Sequence, residues 1–236
     1  MKKSVVQMTR GLWLPLALAL LLTGCSTQRP EGMAKVYDFG PAPMPTAASM
    51  PHASLPTVVL FDPQATQALE GNAVLYRLSY ADAQQLKPYA LARWSMAPAQ
   101  LIGQRLRQQL SLQRAVVAPG ELLPASPPRF AASAAVPVSA SLPSLAAPLL
   151  NLRLVLEEFS QVFDSPADSH GVLRLRATLT QRASGSETLL AQHSFVVQQL
   201  APSPDAVGAV RALTMASDQL AIQLEAWLAQ VEPSRR

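Results

Sequence analysis

Leu150-Asn151-Leu152-Arg153-Leu154-Val155-Leu156-Glu157 is the stretch on which the fold turns. Leucine at every second position sets one apolar face against Asn151, Arg153, Val155 and Glu157. Successive side chains of an extended chain point to opposite faces, so this run reads as a strand with one buried side. The same period returns in Val172 to Thr180, where Leu173, Leu175, Ala177 and Leu179 oppose Arg174, Arg176 and Thr178. Asp164-Ser165-Pro166 and a turn near Gly171 separate the two runs. A loop around Gly185-Ser186 leads into a third run, Leu189 to Gln198, and alternation on both sides of a Gly-containing loop predicts a hairpin.

Downstream, Ser203 is placed to cap a helix with Pro204 as its first residue. Val207, Val210, Leu213, Leu220, Leu224, Trp227 and Val231 recur every few positions, a stripe able to bury against a sheet or another subunit, and Glu232-Pro233 ends it. Upstream, Thr57 to Phe61 is β-prone and stops at Asp62-Pro63. Ala73 to Tyr80 alternates, with Val74, Tyr76, Leu78 and Tyr80 on one face and Arg77 and Ser79 on the other, and Tyr89 to Trp94 follows the Lys87-Pro88 break. Ser95 is expected to cap the next helix, with Pro98 in its first turn where no amide bond is lost. That helix runs to about Leu110, turning Leu101, Ile102, Leu106 and Leu110 inward and Gln104, Arg105, Arg107 and Gln108 to the surface.

The order of strands, helix, loop, three strands and helix predicts an α/β (α+β) two-layer sandwich: a mixed or antiparallel sheet with amphipathic helices packed on one face. The domain is expected over 57–231. Inside it, 117–148 is an insertion or mobile loop in which Pro119, Pro124, Pro127, Pro128, Pro137, Pro143 and Pro148 sit among Ala and Ser, with room for a short strand around Val116-Val117.

Ahead of the domain the chain changes character. Lys2, Lys3 and Arg10 precede a run from Leu12 to Leu22 that is apolar apart from Pro15, and small residues follow. This order belongs to a secretory signal, and the run is too short to span a bilayer stably. Residues 1–24 are therefore expected to be removed and 25–56 to form a spacer rich in Pro, Ala and Ser. Val36-Tyr37-Asp38-Phe39 within that spacer alternates, as an edge strand would.

Composition bounds what remains. The chain has 19 Lys plus Arg against 15 Asp plus Glu, but three of the basic residues lie in the signal, leaving 16 against 15. The remaining charges are scattered, without the basic stripe or interleaved aromatics of a nucleic-acid interface, so no nucleic acid is expected as partner. His52 falls in the spacer, His170 in a turn and His193 in a strand, a spread that predicts no metal site. Glu157 and Glu158 are adjacent in a strand and point apart, so they do not form an acid and base pair. No Gly-rich phosphate loop occurs. With neither a catalytic constellation nor a cofactor motif, the sequence reads as a non-enzyme without cofactors.

Leu22-Thr23-Gly24-Cys25 resembles the lipobox of bacterial lipoproteins at every position, and Cys25 is the only cysteine of the chain. The resemblance implies cleavage between Gly24 and Cys25, diacylglycerol on the Cys25 sulfur, and an acyl chain such as palmitate on the new N-terminus. Ser26 rather than aspartate after the cysteine favours the outer membrane, facing the periplasm, over the inner one.

A second resemblance rests on Tyr89-Ala90-Leu91-Ala92-Arg93-Trp94-Ser95-Met96-Ala97-Pro98 with Leu101 and the Leu106 to Leu110 helix, and on the Leu173 to Leu179 strand with its partner containing Phe195. These segments are similar to the ABC-type transport auxiliary lipoprotein family, over about residues 57–230. The family implies a periplasmic lipoprotein working with an MCE-domain protein and an ABC permease and ATPase that move phospholipid or other hydrophobic molecules. It also implies a homo-oligomer. A structural or assembly lipoprotein of the envelope is the alternative. Trp94 is a candidate partner anchor, with core packing the competing reading. Trp227 divides between intrachain burial and subunit contact. Arg77 and Arg93 are candidates for partner carboxylates or lipid phosphates, against the reading of ordinary solvated arginines.

Overall fold

The computed structural model describes residues 32–41, 55–121, 149–183 and 186–231. The signal, Gly24 and Cys25, most of the 25–56 spacer and most of the 117–148 tract lie outside the described residues. Nine strands among them form one sheet: β1 (Lys35–Tyr37), β2 (Val58–Leu60), β3 (Gln64–Ala65), β4 (Ala73–Leu78), β5 (Ala83–Trp94), β6 (Val116–Val117), β7 (Leu149–Phe163), β8 (Ser169–Ala183) and β9 (Ser186–Leu200). Two long helices, α1 (Pro98–Leu110) and α2 (Ala206–Val231), pack on the sheet and on each other. The architecture is a mixed sheet with helices on one face, not a closed barrel.

β7 is the spine. One of its edges pairs antiparallel with β8 from end to end, and β8 pairs likewise with β9. Its other edge takes three short strands in succession, all parallel: β2 beside Leu150 to Leu152, β3 beside Val155 and Leu156, and β4 beside Gln161 to Phe163. A sheet of both senses results, continued outward by β6 on β2 and by β5 and β1 on β4. The register of β7 shifts between Leu156 and Glu158. That bulge moves the buried set from Leu150, Leu152, Leu154 and Leu156 to Phe159, Gln161 and Phe163, and so keeps a 15-residue strand facing one core. On β8 and β9, Leu173, Leu175, Ala177, Leu179, Phe195 and Val197 complete the apolar face. The same bulge turns Glu157 and Glu158 to one open face instead of apart as strand alternation predicts, and there each has its own arginine: Arg176 with Glu157, 3.5 Å apart, and Arg77 with Glu158, 3.3 Å apart.

Several local expectations change. Ala97, not Ser95, stands at the N-cap of α1, because the Ser95 amide is committed to the Tyr37 carbonyl at 2.7 Å. Asp205 rather than Ser203 caps α2: its Oδ1 accepts from the Gly208 amide at 2.7 Å, and Ser203 Oγ donates to the same oxygen. Gly171 lies inside β8 and not in a turn. The Ala73 to Tyr80 alternation is broken by a register shift between Ala73 and Leu75, so Val74 and Leu75 are both buried, and the strand gives way to one helical turn, Ser79–Asp82, that leaves Tyr80 exposed. Arg105, assigned to the helix surface by periodicity, is 3% exposed.

The folded unit begins at Ala34, well before residue 57. β1 pairs in parallel with Ala92 to Trp94 of β5, and the chain beyond it drives Phe39 into the core. There Phe39, Trp94 and Phe159 form a mutual aromatic cluster with centroids 5.7, 6.1 and 5.5 Å apart. Offset and edge contacts of this kind add to the area that each ring buries.

Candidate functional site

Where the segment after β1 passes the N-terminal half of α2, the packing leaves an open cleft of about 780 Å³. Val36, Tyr37, Asp38, Phe39 and Gly40 form one wall; Val210, Arg211, Thr214 and Met215 form the other, and Leu200 and Pro202 line it from the chain leaving β9. The geometry follows from local chemistry. Gly40 takes a positive φ of 66°, which favours glycine, and its amide donates to Asp38 Oδ1 at 2.8 Å, so the chain turns sharply after Phe39. Arg105 then fastens that turn from below: Nη2 donates to the Phe39 carbonyl at 2.6 Å, while Nε lies 3.3 Å from Asp218 on α2. One buried guanidinium thus ties the wall segment to both helices.

The lining is mostly apolar and much of it is open to solvent. Val36 is 66% exposed, Leu200 83% and Met215 52%. Three large apolar side chains left in water around one hollow make an unusual patch, since isolated exposed residues are common but gathered ones mark contact surfaces. At the rim, Arg211 has no hydrogen bond or ion pair among the described residues. The Asp205 carboxyl is held below its usual range, first by the Gly208 amide and then by Ser203. Ser95 and Thr214 supply hydroxyls to the lining with no histidine beside them. A smaller hollow of about 380 Å³ lies between the far ends of the two helices, beside Leu110 and Ile222. Among the described residues no three acidic or histidine side chains converge as metal ligands would.

The residues singled out from sequence do not form one site. Trp94 is 1% exposed and sits in the aromatic cluster, which removes its ring from any partner's reach and makes it a core residue instead of an anchor. Arg77 is engaged with Glu158 and with the carbonyls of Ala83 and Gln84. Arg93 bends back onto the Tyr89 and Ala92 carbonyls at 2.5 and 2.8 Å. Trp227 is half-buried near the C-terminal end of α2, stacked on His193 with centroids 6.2 Å apart and edge-on to Phe195 at 5.9 Å. The cleft residues Val36, Leu200, Arg211 and Met215 were not singled out by sequence reasoning. Their one legible signal is that Met215 falls off the apolar stripe of α2, and an apolar side chain on the polar side of a helix asks for an explanation.

No family model matches the chain, and no curated protein matches it in sequence. Solved structures do. Protein XCC0632 from Xanthomonas campestris, assigned to the family DUF330, aligns with a TM-score of 0.57 at 15% identity over 84% of this chain and 96% of that one. An uncharacterized protein aligns with a TM-score of 0.52 at 13% identity over 84% of this chain and 99% of that one. Both likenesses speak to the fold alone.

Proposed function

We propose that the chain is a non-enzymatic lipoprotein, held in the outer membrane by acylated Cys25 and facing the periplasm, that serves as an auxiliary component of an ABC and MCE-type machine moving phospholipid or other hydrophobic molecules. The observation that carries this reading is the cleft beside β1, an open apolar hollow on a domain that begins nine residues after the lipobox cysteine. Apolar lining with a few polar groups at the rim is the usual make-up of a ligand site, and volumes of about 300–1,000 Å³ are typical. The reaction-free lining suits a component that works by contact. Two or three acyl chains at Cys25 would hold the domain stably, each buried methylene contributing about 0.8 kcal/mol.

The test is recovery from native membranes. Full-length chain solubilised in mild detergent after brief crosslinking is expected to bring down an MCE-domain protein together with a permease and an ATPase. The intact mass of the isolated chain is expected to begin at Cys25 with diacylglycerol and an N-acyl group added. Recovery of none of those components, or an unmodified Cys25 on an unprocessed chain, overturns the reading.

A further inference from the structure

We infer that the cleft beside β1 takes an acyl chain of a membrane phospholipid, with Arg211 paired to its phosphodiester; this deepens the proposed function and rests on it for the nearness of a membrane. Three observations carry the assignment. The first is the lining: Val36, Phe39, Leu200, Pro202, Val210 and Met215 make most of the cleft surface apolar. Leaving this area in water is costly, at roughly 25 cal/mol per Å², and a hydrocarbon chain removes that cost without demanding hydrogen bonds.

Charge is the second. An apolar occupant alone makes no use of Arg211, whereas a guanidinium beside an apolar cleft complements a phosphate, which it binds through a planar fork of donors. Asp38 on the opposite wall has its Oδ1 occupied by the Gly40 amide and faces the cleft as the only carboxylate in the lining, so one cation and one anion flank the mouth. A phospholipid with a cationic headgroup group beyond its phosphate satisfies both.

Reach is the third. From Cys25 to Lys35 there are ten peptide steps, and ten residues span at most about 35 Å when fully extended. β1 is itself a wall of the cleft, so an acylated Cys25 keeps the cleft within that distance of the bilayer surface. A peptide adding to the open edge of β1 is the competing occupant. β1 spans only Lys35–Tyr37, too short an edge to template a strand, and the lining beyond it offers side chains instead of ladder groups.

The experiment places a photoreactive benzophenone amino acid at Met215, at Leu200 and, as a control, at Ile222, which is 65% exposed on α2 and lines the smaller hollow instead of the cleft. Full-length chains are expressed in cells grown on radiolabelled phosphate, irradiated and purified under denaturing conditions. Phosphorus label is expected on the Met215 and Leu200 chains and not on the Ile222 chain. Changing Arg211→Ala is expected to lower the yield at Met215 about tenfold, the lower worth of one charge-assisted hydrogen bond. The acyl groups at Cys25 contain no phosphorus, so an unlabelled lipid adduct means that the anchor's own chains occupy the cleft, and overturns the proposal. Equal label at Ile222, or a peptide adduct at Met215 without phosphorus, overturns it as well. Label at the cleft with no transporter component recovered in the pull-down keeps this assignment and removes the transport machine.

Discussion

Arg105 and Asp218 face each other across the seam between α1 and α2 with Nε 3.3 Å from Oδ1, and the approach is close without being well aimed. Arg105 Nη1 and Asp218 Oδ1 are both buried without a hydrogen-bond partner. Burial therefore outweighs the Arg105 charge and pushes the Asp218 carboxyl above its ordinary value. A carboxyl raised in the folded state contributes stability that is complete below its unfolded value and is lost as pH rises through the raised folded value. Asp218→Asn keeps an amide oxygen beside the buried Arg105 but removes its counter-charge, and is accordingly expected to abolish this pH dependence and to cost less than truncating Arg105. Arg105→Ala strands Asp218 and the Phe39 carbonyl together and is expected to cost about 3 kcal/mol, the bottom of the range for breaking a buried pair because Asp218 is partly exposed. Urea unfolding of the two variants decides it, and a stability loss for Asp218→Asn matching that of Arg105→Ala would refute the account.

On the open face of the sheet the sign reverses. Glu187 accepts from Arg153, Thr180 and Asn151, and these contacts, Arg153 first, hold its carboxyl down at about 2. A depressed carboxyl contributes stability that is present above its unfolded value of 4.5 and is lost as pH falls through 2. Glu187→Gln is expected to flatten the acid limb of stability between those two values by removing that contribution from the neutral side, a small loss because exposed pairs are worth little. Thermal melts across that window measure it. An acid limb identical in both proteins would mean that other carboxylates set it.

Gly171 permits the closest approach of helix to sheet. A Cβ at this position would stand 2.9 Å from the Ala212 Cβ and 3.1 Å from the backbone of Ala212 and Leu213. Backbone atoms cannot swing aside as a flexible side chain can, so Gly171→Ala must lift the first half of α2 from β8. The expected cost is about 1–3 kcal/mol, the range for overpacking. The paired change Gly171→Ala with Ala212→Gly removes the nearest clash and is expected to recover part of it, although the added helix glycine itself costs about 1 kcal/mol. No recovery in the pair would place the strain elsewhere.

Period explains what could be read from sequence. Leu150 to Leu156 and Leu173 to Leu179 repeat every second residue, and Leu101 to Leu110 falls on one helical face, so each element and its buried side were legible. The strands then run beyond those limits, β7 to Phe163 and β8 from Ser169, because the bulge after Leu156 resets the alternation and a neighbour at every residue holds the ladder. Arg105 was misplaced because periodicity grades a charged residue as surface, and only the convergence of the Phe39 carbonyl and Asp218 makes its burial tolerable. The alternation of Val36 to Phe39 was enough to suggest an edge strand, and β1 is one, but its partner lies more than fifty residues away and three residues carry no signal of which strand they join. The cleft was illegible because its walls come from three separated segments, and only Met215 departs from its own helix's pattern.

Trp94 offers the most direct optical check on where β5 meets the core. Once residues 1–24 are removed, Trp94 and Trp227 are the only tryptophans, one enclosed by Phe39 and Phe159 and the other half-exposed beside His193. Trp227→Phe is expected to leave a blue-shifted emission that acrylamide barely quenches, and Trp94→Phe an emission quenched readily. The stability change distinguishes packing from hydrogen bonding at the same site. Trp94 Nε1 is buried without a partner, so replacing the indole removes an unsatisfied donor while opening a small cavity. The two effects oppose, and Trp94→Phe is expected to cost only about 1–2 kcal/mol, whereas Trp94→Ala, which also dissolves the aromatic cluster, is expected to cost about 3–5 kcal/mol. Strong acrylamide quenching of the lone Trp94 would put its ring at the surface and return it to the partner-contact role from which its burial removes it.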